Sequence, residues 1–385
     1  MFGIDPLFSP LKPVRREVKP ESYPCRIDVK LGAMEYPVYI GTGLLSTVGT
    51  VARGTVAGRR AALVTEPLVA AHYEGMVAES LRAAGFQTET LLVPEGEAAK
   101  RLSVIEKLYH RALAMGLKRD DLVVALGGGT VGDAAGFFAA TYLRGVPFLQ
   151  LPTTLLAQVD SSVGGKVGVN LDEGKNLVGA FYQPRAVVTD PAALRSLPVR
   201  EVRAGLAEVI KCGILGDRAL FSRLERWPES GEQLWPNEHE LCFALSSAIR
   251  VKAEVVARDE RESGPRMVLN LGHTAGHAVE TVTKFGPVRH GEAVAYGLAV
   301  ATRLAVSLRI CPDEEGARVF RILRRFKLPS RREELPARVG VDELVAALDR
   351  DKKVRQGRVL WVLPRRIGEV LLTAKVPLEL VRECL

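Results

Sequence analysis

Paired cysteines, long apolar runs and low-complexity segments are all missing from this sequence, and each absence removes a class of protein. The five cysteines, Cys25, Cys212, Cys242, Cys311 and Cys384, are odd in number, scattered and never in a C-x-x-C pair. That excludes a disulfide framework and a thiolate zinc site, and it favours a reducing cytoplasm. The most apolar later stretch is broken by Asp133, Arg144 and Pro147, and Met1 to Pro24 carries five prolines but no apolar run of signal-peptide length. The expectation is a soluble protein without a membrane partner, with a short N-terminal extension over residues 1–25. RNP-like, zinc-finger and basic-zipper patterns are absent too. The net charge of +8 is therefore read as a solvated basic surface and a site for a small anionic substrate, not as nucleic-acid binding.

What is present is enough apolar sequence for a sizeable core. With 385 residues and 47% hydrophobic content, two domains are expected. From 26 to 193, strand and helix patterns alternate, which implies an α/β domain with a largely parallel sheet. Arg26 to Leu31 and Tyr36 to Ile40 read as an opening hairpin. Ala61 to Thr65, Thr88 to Val93, Leu122 to Leu126, Phe148 to Leu151 and Ala186 to Thr189 read as buried strands, with helices such as Val69 to Ala84 and Leu102 to Met115 between them. Beyond Asp190-Pro191 long helical patterns dominate, with one strand-like run at Val359 to Leu363. A mainly α-helical C-terminal domain over 194–385 is expected.

The stretch Asp121 to Asp133 sets a hydrophobic strand before Gly127, Gly129 and Gly132, a G-x-G-x-x-G spacing that lets backbone approach a pyrophosphate at a helix N-terminus. A plain strand-to-helix turn would look the same. The loop also lies far from the first strand, and no acid follows about 20 residues later to bind a ribose. The acid at a strand end is upstream, at Glu66. The dinucleotide fold implied is thus a non-standard, Rossmann-like one. A second polar cluster, Thr153, Thr154, Asp160, Gly164, Gly165, Lys166, Asn170, Lys175 and Asn176, suits the neighbourhood of phosphate or, more blandly, an exposed loop.

Three of six histidines crowd into N-L-G-H-T-A-G-H-A-V-E (270–280) and R-H-G-E (289–292). His273 and His277 are four apart and share a helix face, so spacing alone would make both of them metal ligands, with a carboxylate left unspecified, or else histidines that cap or hydrogen-bond inside a helical bundle. Thr274 in place of a glutamate excludes the metalloprotease motif. Glu208 and Lys211, three apart on an apolar helix, need partners if buried. A metal for the first and an anion for the second would serve, as would a surface ion pair.

These segments, with P-E-G-E-A-A-K (94–100), G-G-G-T-V-G-D-A-A-G-F (127–137), the run Leu151 to Asn170, G-K-N (174–176), A-E-V-I-K (207–211) and D-K-K (351–353), resemble the 3-dehydroquinate synthases of the sugar-phosphate cyclase superfamily. The resemblance implies an NAD-binding first domain and a helical second domain carrying zinc, or alternatively cobalt, with substrate between them in a homodimeric enzyme. It makes Glu208, His273 and His290 the metal ligands and moves His277 to a role near phosphate and in proton transfer. NAD contacts would come from Glu97, Lys100, Gly129, Thr130, Val131, Gly132, Asp133, Thr153, Thr154 and Lys175. Lys166, Arg266, Lys211 and Asn270 would join His277 in catalysis. Asp160, Arg144, Lys252, Asn176 and either Lys352 or Lys353 would hold substrate, Arg144 reaching its phosphate. Glu66 stands where the family often has aspartate.

The reaction implied is conversion of 3-deoxy-D-arabino-heptulosonate 7-phosphate to 3-dehydroquinate and phosphate, a lyase step of the shikimate pathway. Transient oxidation by NAD acidifies a C–H bond, phosphate is eliminated, hydride returns, and an aldol step closes the carbocycle. Three alternatives stand beside it: another sugar-phosphate cyclase, a metal-dependent NAD polyol dehydrogenase, and a silent scaffold. Arg266 and the lysines argue against the first, and Glu208 with the Gly-Gly-Lys loop against the second.

Overall fold

The computed structural model describes residues 23–32, 34–228, 234–262, 264–350 and 359–385. The chain divides into two compact units, Pro20–Leu197 and Pro198–Leu385.

The first unit opens with a hairpin, β1 (Cys25–Leu31) and β2 (Met34–Ile40), in which Ile27, Val29 and Leu31 point inward between charged neighbours. There follow α1 (Val48–Thr55), β3 (Arg60–Thr65), α2 (Pro67–Ala83), β4 (Gln87–Leu92), α3 (Leu102–Ala114), β5 (Leu122–Gly127), α4 (Gly129–Thr141) and β6 (Phe148–Pro152). A second hairpin, β7 (Lys166–Leu171) and β8 (Gly174–Phe181), precedes β9 (Ala186–Thr189).

The seven-stranded sheet runs β1-β2-β9-β6-β5-β3-β4, and every pairing after β1·β2 is parallel. All six residues of β5, Leu-Val-Val-Ala-Leu-Gly, are buried, as a central parallel strand covered on both faces must be. One core cluster gathers α3, α4 and β7 residues, including Leu108, Phe138 and Val167. Another gathers α1 and α2 residues, including Val48, Val77 and Leu81.

The strand order explains the odd position of the glycine loop. From β3 the chain steps outward to β4, then crosses back to β5 on the other side of β3. The two loops that flank this reversal follow β3 and β5, and the crevice there is where open α/β sheets bind ligands. Thr65 pairs with Leu126, so Glu66 and Gly127 leave the sheet side by side. The expected strands and opening hairpin are found within a residue or two, whereas no strands were expected in the polar stretch that forms β7 and β8.

The second unit holds α5 (Val199–Leu215), α6 (Arg218–Leu224), α7 (Glu238–Arg258), α8 (His273–Val282), α9 (His290–Ser307), α10 (Asp313–Arg325) and α11 (Val341–Arg350). It closes with the hairpin β10 (Trp361–Arg366) and β11 (Glu369–Thr373), then α12 (Leu378–Cys384). Thus an α/β unit is followed by a mainly helical one. α5 is buried continuously from Ala204 to Leu215, Glu208 and Lys211 included, and α9 is nearly as enclosed. Their contact is tight: a Cβ on Gly291 would lie 1.9 Å from the carbonyl oxygen of Ala204, so only glycine allows α9 this close. No described helix is long and apolar enough to cross a membrane.

Candidate active site

In the first unit the expected nucleotide residues collect at the carboxyl ends of β3, β5 and β6. Gly128 caps α4, and Gly129 to Asp133 form its first turn, where free N–H groups favour an anion. A Cβ on Gly132 would come within 2.7 Å of Gln150 Oε1, which keeps this turn close to β6. Thr153 and Thr154 follow β6 directly, and the Thr153 amide bonds to Gly127 O at 2.9 Å. Glu66 accepts from the Gly96 amide at 3.3 Å. Burial, reinforced by Glu95, raises the pKa of Glu66 against that hydrogen bond.

A polar network joins the same edge to the second hairpin. The Lys100 ammonium, buried, bonds to Asp133 and to Asn176. Glu97 takes Lys175 Nζ at 2.6 Å on one oxygen and Asn170 Nδ2 at 2.7 Å on the other. Burial works against the Glu97 charge, yet these two donors and Lys100 hold its pKa below the usual carboxylate value. Asp160 lies in a short π-helical turn, Ala157–Ser161, and Lys166 opens β7, exposed. Arg144 is elsewhere. It follows the far end of α4, roughly 20 Å from Gly129 by the helical rise, in a left-handed conformation with φ 66°.

In the second unit Glu208, His273 and His290 come together from three helices, their ligand atoms all within 4.8 Å of one another. Nε2 of His273 is 3.6 Å, and Nε2 of His290 3.7 Å, from Oε1 of Glu208. A tetrahedral zinc site with bonds of about 2.1 Å has ligand atoms roughly 3.4 Å apart, so the triad has the size and the His/His/Glu chemistry of such a site. Both rings are aimed from behind. His273 Nδ1 meets the Leu271 carbonyl at 3.2 Å; that oxygen can only accept, so Nδ1 carries the hydrogen and Nε2 is left for a ligand. His290 Nδ1 meets Glu280 Oε1 at 3.1 Å, the carboxylate–histidine arrangement common behind metal ligands.

The electrostatics differ between the two rings. Burial, with Lys211 and the neighbouring histidines, drives the pKa of His273 well below its ordinary value, so it is neutral and ready to ligate. Burial also works against charge on His290, but Glu208 and Glu280 on either side push it up to about 10. His277, which spacing alone made a ligand, sits on the same face of α8 but outside the triad. Its ring stands edge-on to His273 at 5.3 Å between centroids and 6.5 Å from His290.

Lys211, 1% exposed, pairs with Glu208. Lys252 on α7 and Arg266 are also buried, and Arg266 is steadied by the Glu260 carbonyl, while its amide donates to Asp259 Oδ2 at 3.1 Å. Three enclosed cations in one helical unit are costly unless anions answer them. Asn270 donates to Glu262 at 3.2 Å. Lys352 and Lys353 lie outside the described residues.

Two residues escaped the sequence reading. Glu280 follows His273 and His277 at the i, i+4, i+7 spacing of one helix face, a signal visible in the sequence. Glu292, in H-G-E, accepts from the Arg289 amide at 2.9 Å and takes Arg200 on both oxygens, at 2.7 and 2.8 Å. It thereby ties the start of α9, where His290 sits, to the start of α5.

The sequence models of the N-terminal and C-terminal parts of 3-dehydroquinate synthase match residues 90–204 and 205–354. The 3-dehydroquinate synthase of Picosynechococcus sp. is 45% identical over 357 residues, covering 93% of this chain and 97% of its own. Among solved structures, 2-deoxy-scyllo-inosose synthase complexed with carbaglucose-6-phosphate, NAD+ and Co2+ superposes with a TM-score of 0.83 at 26% identity, covering 93% of this chain and 98% of its own. The 2-epi-5-epi-valiolone synthase of Streptomyces hygroscopicus subsp. jinggangensis 5008, with NAD+ and Zn2+ bound, does so at 0.82 and 27%, covering 92% and 96%. With models of both parts matched and near-full-length similarity at this identity, the chain belongs to the 3-dehydroquinate synthase family.

Proposed function

We propose that this enzyme converts 3-deoxy-D-arabino-heptulosonate 7-phosphate to 3-dehydroquinate and phosphate, with NAD and a divalent ion, zinc by preference, as its cofactors. The observation that carries the reading is the Glu208–His273–His290 triad, backed by Glu280 and the Leu271 carbonyl, in a chain of this family. Relatives of the same fold hold NAD+ with Co2+ or Zn2+. When bound, NAD supplies a reversible hydride acceptor and the divalent ion a Lewis acid, so the net change is elimination and ring closure without net nicotinamide reduction.

The chain's own groups do the rest. Glu66, Glu97, Lys100, the first turn of α4, Thr153, Thr154 and Lys175 hold the dinucleotide, with the free N–H groups of Gly129 to Val131 suited to its pyrophosphate. Glu208, His273 and His290 hold the ion. Lys166, Lys211, Lys252 and Arg266 take the anionic ends of the substrate, and the planar fork of Arg266 matches a carboxylate. Asp160, Asn176 and Asn270 hydrogen-bond its hydroxyl groups. His277, close to the metal triad but not in it, moves a proton for phosphate departure.

The test is phosphate release from the heptulosonate phosphate with catalytic NAD and zinc, while NADH absorbance is followed. Phosphate and 3-dehydroquinate in equal amounts without accumulating NADH are expected. Accumulating NADH would replace this reading with a dehydrogenase, and no phosphate from folded, metal-loaded enzyme would replace it with a different cyclase substrate.

A further inference from the structure

The second hairpin of the first unit is irregular at one position. Val167, Gly168 and Val169 pair regularly with Ala180, Gly179 and Val178, but Leu171 pairs with Gly174. Asn170 alone therefore stands against three residues, Lys175, Asn176 and Leu177. Bulges of this kind turn side chains out of the regular alternation and are frequent beside active sites.

The side chain of Asn170 is occupied on both ends. Its Oδ1 accepts the amide of Asn176 at 2.9 Å, and its Nδ2 donates to Glu97 Oε2 at 2.7 Å. Its own amide bonds to the Lys100 carbonyl at 2.8 Å. Asn176 is left-handed, with φ 56°, a conformation that asparagine adopts more readily than other non-glycine residues and that turns its side chain out of the regular alternation. From this bulge Lys175 reaches the other oxygen of Glu97, and the Asn176 side chain reaches Lys100.

We infer that Asn170 is a positioning residue, a clasp that holds the bulge of β8 to the Glu97–Lys100 segment and so aims Lys175 and Asn176. The amide is suited to this as no other side chain of its size is, because one end must accept from a backbone N–H while the other donates to a carboxylate. The inference rests on the reading that these residues hold NAD and substrate.

The test uses Asn170→Ala and Asn170→Asp in the full-length protein, with NAD binding by equilibrium dialysis and backbone hydrogen exchange of the 170–181 hairpin. Circular dichroism and the unfolding midpoint check that each variant is folded. Asn170→Ala is expected to speed exchange at the bulge and to weaken NAD about tenfold, the scale of one lost hydrogen bond to a charged group. Asn170→Asp keeps the acceptor for Asn176 but sets an oxygen against Glu97; it is expected to keep slow exchange at Asn176 and still weaken NAD. Wild-type exchange in Asn170→Ala overturns the clasp whether or not NAD binds. Faster exchange with undiminished NAD affinity overturns its role in aiming the site. Absence of saturable NAD binding to the wild-type chain overturns the reading of the site itself, and exchange then decides the clasp separately.

Discussion

Glu280 accepts the Nδ1 hydrogen of His290 at 3.1 Å, and this contact turns Nε2 of the ring towards Glu208, 3.7 Å away. The ligand histidine is thus held between two carboxylates, one that would share the metal and one that would not. Replacing the second tests how far the triad depends on its backing. Glu280→Gln keeps an oxygen that can accept from Nδ1 but removes the charge that makes the imidazole a better donor. Zinc affinity, measured by competition with a chromophoric chelator, is expected to fall about 10- to 100-fold in a protein whose circular dichroism is unchanged. Wild-type affinity would show that His290 is aimed by packing alone.

The same pair of carboxylates sets the pH dependence of metal loading. His273 is already neutral at pH 7 because its pKa lies well below 6.5, whereas His290, pushed up to about 10, carries a proton that the metal must displace. One proton should therefore leave per ion bound, and affinity should rise about tenfold per pH unit through the neutral range, levelling only near pH 10. The metal-free fold follows the opposite course. A raised histidine stabilises it fully below about 6.5 and loses that contribution as pH rises towards 10. Calorimetry in buffers of different ionisation enthalpy counts the protons; a count near zero would contradict this charge assignment.

Gly291 links packing to the same site. Because its Cβ would meet the Ala204 carbonyl at 1.9 Å, Gly291→Ala must push α9 from α5 just where they carry His290 and Glu208. The expected cost is about 1–3 kcal/mol, as for other overpacked sites, and zinc should be lost well before helicity. Stoichiometric zinc in a variant of lowered melting temperature would mean that the strain is absorbed elsewhere.

How much of this was legible beforehand depends on how local each feature is. Alternation in Arg26–Leu31 and the apolar run Leu122–Leu126 announce their strands because both depend only on neighbouring residues. The partner of the glycine loop was not legible. That Glu66 leaves the sheet beside Gly127 follows from β5 returning across β3, a pairing between segments some sixty residues apart. The β7–β8 hairpin was hidden by its own composition, since its lysines, asparagines and glycines read as loop. Within α8, helical spacing correctly put His273 and His277 on one face, but ligand geometry is set by α5 and α9, whose first turn brings in His290 instead. The i+7 position, Glu280, lay on that same face and went unread.

His277 is where family resemblance and simple spacing part company, and one variant separates them. Its ring is edge-on to His273 with centroids 5.3 Å apart, beside the triad but outside the group whose ligand atoms converge, and under the proposed function it moves a proton and holds no metal. His277→Ala should therefore keep stoichiometric zinc, and keep the one-proton release on binding, since His290 and its two carboxylates are untouched. Turnover should drop by about 10²- to 10⁴-fold, the range for loss of a general acid or base, with the loss in kcat larger than any change in KM. Zinc analysis and steady-state phosphate release on one preparation suffice. If zinc falls with activity, His277 is a ligand after all and the spacing rule stands; if both persist, the proton for phosphate departure comes from another group.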